Sequence, residues 1–151
     1  MAFVTAMNIV GSGLTAEQLR LDVISENVTN MNTTRTEAGG PYRRKIVVFQ
    51  SESGRDGFRQ AMAAAANASN RGYEKAGGVR VAEIVEDTTD LPLSYDPTHP
   101  DANELGYVEM PNVTLVKEIT DAMAASQAYS ANVTAFNTLK SVLSSSLEIG
   151  R

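Results

Sequence analysis

One histidine and two nearby acids are the residues of this chain whose types best suit chemistry. His99 lies in the segment Asp96-Pro97-Thr98-His99-Pro100-Asp101, where Asp96 and Asp101 could join it as metal ligands. A single histidine beside two loop carboxylates is a weak pattern, because metal sites usually draw on a larger set of closely placed ligands. The chain also has no cysteine, which excludes disulfides, thiolate zinc sites and cysteine nucleophiles. We expect no metal and no other cofactor.

Three glycine-rich segments resemble catalytic or phosphate-binding turns but lack the context that those turns need. Gly11-Ser12-Gly13 would have to follow a strand to present a nucleophilic serine, and it lies inside a helical pattern instead. Gly39-Gly40 and Gly77-Gly78 are not followed by the Lys-Ser or Lys-Thr pair that opens the helix of a phosphate-binding loop. We expect no catalytic residues and no enzymatic activity. The enzymatic alternative is a reaction that uses His99 with one of its neighbouring acids.

Length and composition predict one compact domain, or a small domain flanked by long helices. The chain has 151 residues, of which 42% are hydrophobic, and a net charge of −5. This charge disfavours nucleic acid as a partner, and the basic cluster Arg43-Arg44-Lys45 has only Tyr42 as an aromatic neighbour. The sequence has no run of about 18 apolar residues and no basic leader before an apolar one. We expect neither direct membrane insertion nor a cleaved signal peptide.

The charges are unevenly distributed along the middle of the chain. Residues 43–80 carry eight positive and three negative side chains, whereas residues 81–110 carry eight acids and no Lys or Arg. The two stretches could neutralise each other within one small domain, or they could form complementary patches on successive subunits. Their sequence alone leaves both possibilities open.

The first apolar pattern predicts a long amphipathic helix near the N-terminus. Apolar residues recur at alternating steps of four and three along residues 3–31. This spacing places them on one narrow stripe, which favours packing against another helix. Gly11 and Gly13 each weaken the helix by about 1 kcal/mol relative to alanine, and we interpret them as close-contact points or a soft spot. The Asn and Thr residues that crowd residues 27–36 predict that the helix ends there.

The middle of the chain predicts a small β-rich insert. Residues 42–50 end in an apolar run typical of a strand, and residues 79–85 alternate apolar with charged side chains as a half-buried strand does. Residues 51–78, rich in Gly, Ala, Asn, Arg and Ser, predict a variable loop that holds a short helix. The four prolines of residues 86–111 favour extended backbone and turns, and residues 91–95 are a candidate edge strand.

A second apolar stripe predicts a long C-terminal helix. Asn112 is the predicted N-cap, apolar residues recur every three or four positions as far as Leu147, and Gly150 is the predicted stop. Small side chains along residues 122–131 would let another helix approach closely. The two stripes together define the predicted assembly interface: Phe3, Met7, Val10, Leu14, Leu21, Ile24, Val28, Val116, Ile119, Met123, Tyr129, Val133, Phe136, Leu139 and Leu143.

The two stripes must be buried against something, and their periodicity does not say what. They could pair within the chain as a helical hairpin, which would suit a soluble helical binding module, or they could pair with other subunits. Burial of each leucine-sized side chain is worth roughly 1.5 to 3 kcal/mol before entropy, so exposed stripes would drive association. We favour a structural subunit and keep the binding module as the alternative.

Several segments resemble the bacterial flagellar basal-body rod proteins, over nearly the whole chain and most strongly at both ends. Three segments resemble the N-terminal signature that rod and hook axial proteins share: Met7-Asn8-Ile9-Val10-Gly11-Ser12-Gly13-Leu14-Thr15-Ala16, Arg20-Leu21-Asp22-Val23 and Glu26-Asn27-Val28-Thr29-Asn30. Other segments resemble the proximal-rod type more particularly: Pro41-Tyr42-Arg43-Arg44-Lys45, Val47-Val48-Phe49-Gln50, Gly77-Gly78-Val79-Arg80-Val81, Tyr95-Asp96-Pro97, His99-Pro100, Ala102-Asn103 and Gly106-Tyr107-Val108-Glu109-Met110-Pro111-Asn112-Val113. The chain departs from the usual Asn-Leu-Ala-Asn-Ala pattern at residues 27–32 and has a long Ala-rich segment at residues 51–78.

The resemblance implies a structural subunit of the periplasmic rod, exported by the flagellar type III apparatus without a cleaved signal. It implies that the subunit polymerises through its terminal helices into the helical drive shaft that transmits motor torque. Its partners would be copies of itself, other rod and basal-body axial proteins, and the export apparatus. The family has no catalytic residues to transfer to this chain.

These patterns together predict an α+β fold. Long N- and C-terminal helices would pack in a coiled-coil-like manner, with a small β-rich insert between them. The predicted segments are residues 1–34, a helix of the rod core; residues 35–110, an outward-facing insert; and residues 111–151, the second helix of the rod core.

Overall fold

The computed structural model describes residues 2–53 and 76–149, which form two long helices and two small sheets. Helix α1 spans Ala2–Thr29 and helix α2 spans Leu115–Ile149. Strands β1 (Lys45–Ser53) and β2 (Ala76–Glu86) pair in one sheet. Strands β3 (Leu93–Tyr95) and β4 (Tyr107–Glu109) pair antiparallel in the other. The predicted α+β fold, with a helix at each end and strands between, is confirmed.

Contacts divide the chain into two compact units, and both helices contribute to each. The first unit comprises residues 1–16, 49–82 and 129–151, and the second comprises residues 17–48 and 83–128. The apolar core of the second unit is small, with Val23 and Ile24 from α1, Ala125 from α2, Val108 from β4 and the ring of Tyr42. Within the described residues no helix combines the length and the apolar character needed to cross a membrane.

Helix α1 ends where the polar side chains of its last turn bind the backbone. The Thr29 hydroxyl donates to the Ser25 carbonyl at 2.8 Å, and the Asn30 amide donates to the Glu26 carbonyl at 3.0 Å. The Glu26 carbonyl also accepts from the Asn30 backbone N–H at 3.0 Å, and such side-chain bonds to the last carbonyls compete with further helical turns. The predicted end of the helix within residues 27–36 is confirmed.

Two glycines of the first unit allow close packing. A Cβ on Gly13 would lie 3.0 Å from the Asn132 side-chain nitrogen, so the missing side chain lets α2 approach α1. Gly11 has nothing within 4 Å, and only Gly13 is a close-contact point. Gly78 has φ +91°, and a Cβ there would collide with the Ser12 hydroxyl, which accepts a hydrogen bond from the next backbone N–H at 3.0 Å. This contact packs the start of β2 against α1.

The insert contains more strand than the sequence predicted. The prediction of a loop over residues 51–78 is wrong at both ends, because β1 continues to residue 53 and β2 begins at residue 76. A two-stranded ribbon can expose both faces, so polar residues continue a strand without an apolar pattern. The short helix predicted between the strands falls outside the described residues. The candidate edge strand is confirmed as β3, and its partner β4 was not predicted because three residues show no periodicity.

Helix α2 begins later than predicted, and Asn112 is not its N-cap. The helix begins at Leu115, and its first turn is closed by the Glu118 N–H, which donates to the Thr114 carbonyl at 3.1 Å. Thr114 is the residue directly before the helix. The side chain of Asn112 instead accepts from the Arg44 backbone N–H at 2.8 Å and donates to the Asp87 carbonyl at 3.1 Å. It bridges the chain before β1 to the chain after β2, which removes it from the helix end.

Candidate assembly surface and its buried polar junction

A cluster of buried polar side chains joins both helices to the insert within the second unit. We call it the polar junction and define it as Asn27 of α1, Tyr42 and Arg44 before β1, and Glu118 of α2. Each of the four is at least nine-tenths buried. Groups of this kind are rarely buried unless they are fully hydrogen-bonded to one another.

The Asn27 side chain is the centre of the junction and uses its whole hydrogen-bonding capacity. Its amide nitrogen donates to the Lys45 carbonyl at 2.9 Å and to Glu118 Oε2 at 3.0 Å. Its oxygen accepts from the Tyr42 hydroxyl and from the Lys45 N–H, each at 2.9 Å. Because an asparagine side chain has two donors and two acceptor positions, all four are occupied. The contacts fix the last turns of α1 against the first residue of β1.

Arg44 carries the charge that balances the buried acid. Its Nε donates to Glu118 Oε1 at 2.5 Å, one guanidinium nitrogen donates to Asp121 Oδ2 at 2.8 Å, and the other lies 3.8 Å from Asp87 Oδ2. Glu118 also lies in the first turn of α2, where the helix dipole favours a negative charge. The basic and acidic stretches of the insert therefore meet at Asp87, but the shorter contacts of Arg44 are made to α2.

The Tyr42 hydroxyl is held in its protonated form. Burial, followed by the negative charges of Glu26, Glu118 and Glu86, raises the pKa of Tyr42 to about 12. A buried phenolate would lose hydration and stand among carboxylates, so the neutral hydroxyl that donates to Asn27 is favoured. The junction holds the chain in place and presents no reactive group to solvent.

The opposite face of α2 has the reverse character. Val116, Ile119 and Met123 are 73%, 49% and 68% exposed, whereas Glu118 and Ala125 are fully buried. The spacing of the three apolar residues places them on one face of the helix, and we call this face the apolar stripe. In the second unit, α2 thus turns a carboxylate inward and an aliphatic stripe outward. This exposed row is a candidate contact surface for another protein.

The other residues of the predicted interface are more covered than the apolar stripe. Ile24 is buried, and Val133 and Leu143 are 36% exposed. The rest are half-buried: Phe3, Met7, Val10, Leu14, Leu21, Val28, Tyr129, Phe136 and Leu139.

Contacts between α1 and α2 within each unit explain part of that burial. In the second unit Asn27 binds Glu118, and Arg20 lies 3.9 Å from Asp121 on the next turn. A higher number on α2 pairs with a lower one on α1, so the helices run antiparallel in this unit. In the first unit Gly13 faces Asn132.

None of the junction residues was predicted from the sequence. A charged residue in a helical pattern is ordinarily exposed, and the predicted stripe of α2 therefore passed over Glu118. A usable signal was the row of small residues at positions 122 and 125, which shares the face of Glu118 and has no apolar side chain large enough to fill a core. Asn27, Tyr42 and Arg44 stood in segments that carried the family resemblance, without a role.

The two acids near His99 have other partners: Asp96 binds within its own turn, and the Asp101 carboxylate accepts from the Thr34 hydroxyl at 2.9 Å. The Asp96 carboxylate accepts from the Thr98 N–H at 3.0 Å and from the Thr98 hydroxyl at 2.6 Å, and these bonds lower its pKa. The His99 Nδ1 accepts from the Asp101 N–H at 3.1 Å. The part of the chain that the structure describes holds no group of three or more His, Cys, Asp or Glu residues placed to bind a metal ion.

Comparison with known proteins identifies relatives along the full chain. Residues 7–35 match the profile described as flagella basal body rod protein, and residues 104–149 match the flagellar basal body rod FlgEFG protein C-terminal profile. The flagellar basal-body rod protein FlgC of Bacillus subtilis is 45% identical over 97% of each chain. The FlgC protein of Borreliella burgdorferi is 42% identical over 99% of this chain and 98% of its own length. That of Escherichia coli O6:H1 is 38% identical over the whole of both chains.

Proposed function

Because the chain belongs to the FlgC family of flagellar basal-body rod proteins, we propose that the apolar stripe of α2 is a contact by which it polymerises with other axial subunits. The chain is a structural subunit of the flagellar basal-body rod. The observation that carries the proposal is the outward orientation of Val116, Ile119 and Met123 on a helix whose opposite face is fixed by the polar junction. Because an exposed aliphatic row on a helix packs best against another helix, we propose coiled-coil-like packing between subunits.

We propose that the remaining predicted interface residues, on each of the two helices, make further contacts with neighbouring subunits. Their partial burial leaves apolar area for a neighbouring helix after α1 and α2 have packed within the chain. Heterologous contacts of this type generate a helical filament when the rotation does not close. We propose residues 1–34 and 111–151 as the rod core and residues 35–110 as the insert that faces outward.

The family also suggests the setting in which these contacts form. We propose export through the flagellar type III apparatus, assembly in the periplasm, and partners that include copies of this chain and other axial proteins. In that setting the helices transmit motor torque. The junction supports this role because it ties both helices to the insert through buried, charge-assisted hydrogen bonds, which resist displacement better than exposed ion pairs. We propose no catalytic activity.

The stripe is tested by placing a carboxylate on it in a strain that lacks its own copy of the gene. Met123→Asp should be exported and folded but absent from isolated basal bodies, because an unpaired charge in an apolar interface costs several kcal/mol. Ala124→Asp is the matched control, since residue 124 is exposed and points to another side of α2. Met123→Asp in basal bodies at the level of the control would contradict the proposal.

A further inference from the structure

The β3–β4 hairpin has an open backbone edge. Its register pairs Leu93 with Glu109, Ser94 with Val108 and Tyr95 with Tyr107. Just outside the strands, the Met110 N–H donates to the Pro92 carbonyl at 2.8 Å and the Asp96 N–H donates to the Gly106 carbonyl at 2.9 Å. Hydrogen-bonded and non-hydrogen-bonded pairs alternate in an antiparallel ladder, so Ser94 is the bonded residue of β3. The N–H and C=O groups of its two neighbours point away from β4.

Among the described residues these outward groups of β3 have no hydrogen-bond partner. In the described part of the chain, no hydrogen bond reaches the backbone N–H or C=O of Leu93 or Tyr95. Pro92 precedes the strand and Pro97 follows it closely, which limits the open edge to three residues. A short edge bounded by prolines is protected from uncontrolled aggregation, yet it can still accept one defined strand.

The side chains beside this edge are apolar and exposed. Leu93 and Tyr95 are 62% and 66% exposed, and Tyr107 shares their face of the hairpin. The two tyrosine rings pack edge to face with centroids 5.2 Å apart. Val108 points to the other face and is 2% exposed, which anchors the hairpin. The exposed face is thus held in a fixed position by the buried one.

A glycine in the turn helps to set the position of the Tyr95 ring. Gly106 has φ +79°, and a Cβ there would lie 3.0 Å from Tyr95 Cε2. The missing side chain lets the ring lie against the turn while its other side remains exposed. A partner would therefore meet a preorganised aromatic surface.

The charge around the edge indicates the chemistry of its partner. Residues 81–110 carry eight acids and no Lys or Arg. Glu109 lies directly opposite Leu93 and is exposed on the same face, and Asp90 is exposed just before the strand. An extended segment with basic residues would gain electrostatic attraction here, whereas an acidic one would be repelled.

We propose that β3 is a docking edge for an extended, net-basic segment of another axial subunit, which adds as a third strand of this sheet. Backbone hydrogen bonds to residues 93 and 95 would supply affinity. The exposed Leu93 and tyrosine side chains would select apolar residues at alternate positions of the incoming strand, and the acids would select its basic residues. The inference rests on the proposed rod function, because the partner must be placed beside the hairpin by assembly.

The test uses the full-length chain in isolated basal bodies, with the purified monomer as reference. A photo-crosslinking phenylalanine derivative in place of Tyr95 should link, in basal bodies, to an axial-protein segment that mass spectrometry identifies as net basic. The same probe in place of Ile84, an exposed residue of β2, is the matched control and should not link to that segment. Hydrogen exchange of the residue 93 and 95 amides in the unsubstituted chain should be at least about 10-fold slower in basal bodies than in the monomer.

Each result separates the inference from the rod function. Absence of the unsubstituted chain from basal bodies would overturn both the rod function and the docking edge. A chain that enters them with equally fast exchange at residues 93 and 95 would overturn the docking edge alone. Crosslinks to an acidic segment, or to a protein outside the axial structure, would also overturn it. Slower exchange together with crosslinks to a net-basic axial segment would establish it.

Discussion

Glu118 and Ile119 are neighbours on α2 and have opposite surroundings. The carboxylate of Glu118 is fully buried and bound by Arg44 and Asn27, whereas the aliphatic side chain of Ile119 is exposed with Val116 and Met123. A helix that served only the fold of its own chain would place these residues the other way round. This contrast indicates that the polar junction sets the rotation of α2 and leaves the apolar stripe exposed, where we propose that another subunit packs.

The junction is better suited to specifying geometry than to adding stability. Removing charges from water costs several kcal/mol per ion, which a buried pair recovers only with good geometry and further hydrogen bonds. Here the geometry is good, since Asn27 is fully satisfied and Arg44 binds two acids of α2. Apolar replacements could pack as stably, but they would tolerate other rotations of α2 because dispersion contacts have little directionality.

The largest expected effect is on assembly through the apolar stripe. Ile119→Asp should lower incorporation into rods by about 100-fold or more, since an unpaired carboxylate in an apolar interface costs several kcal/mol. The free energy of unfolding of the monomer should change by less than about 0.5 kcal/mol, because the residue is exposed. Quantitative immunoblots of basal bodies and urea unfolding measure the two quantities. A large loss of monomer stability would mean that Ile119 serves the fold of its own chain.

The next prediction concerns Glu118, the residue adjacent to Ile119, where a substitution should mainly lower the stability of the monomer. Glu118→Ala should lower the free energy of unfolding by about 3 kcal/mol, because it leaves the buried guanidinium of Arg44 without its shortest contact. Asp121 remains in contact with Arg44, which keeps the loss near the lower end of the range for broken buried pairs. Glu148→Ala, an exposed acid of the same helix, is the control in urea unfolding. Equal stabilities of the two variants would show that the junction does not hold α2.

A smaller effect is expected when one hydrogen bond of the junction is removed. Tyr42→Phe deletes the hydroxyl that donates to Asn27 at 2.9 Å and should cost about 1 kcal/mol. The ring and its packing are retained, so rods should still form. Unfolding in urea measures the loss, and Tyr107→Phe is the control because Tyr107 is exposed. No difference from the control would mean that Asn27 finds another donor.

Alkaline pH should weaken the junction through the same hydroxyl. The pKa of Tyr42 rises from its ordinary value of 10.0 to about 12 on folding. Because the folded value is the higher one, its stabilising contribution is complete below pH 10 and is lost as the pH rises from 10 to 12. Unfolding midpoints across this range should fall more steeply for the native chain than for Tyr42→Phe. Parallel curves would show that Tyr42 titrates normally in the folded chain.

The smallest effect concerns the acid at the edge of the junction. Hydrogen bonds from the Thr89 hydroxyl and backbone lower the pKa of Asp87, which also lies 3.8 Å from Arg44. A lowered pKa stabilises the fold above pH 3.8 and ceases to do so as the pH falls below it. Asp87→Asn should therefore lower the free energy of unfolding by less than about 1 kcal/mol at neutral pH. It should also reduce the loss of stability that the native chain shows as the pH falls into the acid range. An unchanged loss of stability there would assign that loss to other carboxylates.

The sequence alone determined the elements that rest on periodicity and local chemistry. The apolar steps of residues 3–31 and the Asn and Thr cluster predicted α1 and its end, and the alternation at residues 79–85 predicted β2. These patterns are readable because each depends on neighbours along the chain. The segments at both ends carried the family resemblance, which the relatives confirm.

Which side of α2 faces inward depends on contacts between residues that are distant in sequence. Glu118 is buried because Asn27 and Arg44, 91 and 74 residues earlier in the chain, bring matching groups to it. Asn112 left its predicted cap for the same reason, since its partners near β1 and β2 are distant in sequence. Hydrophobic periodicity measures the average preference of a residue for water, and it cannot register a charge that folding supplies with a partner.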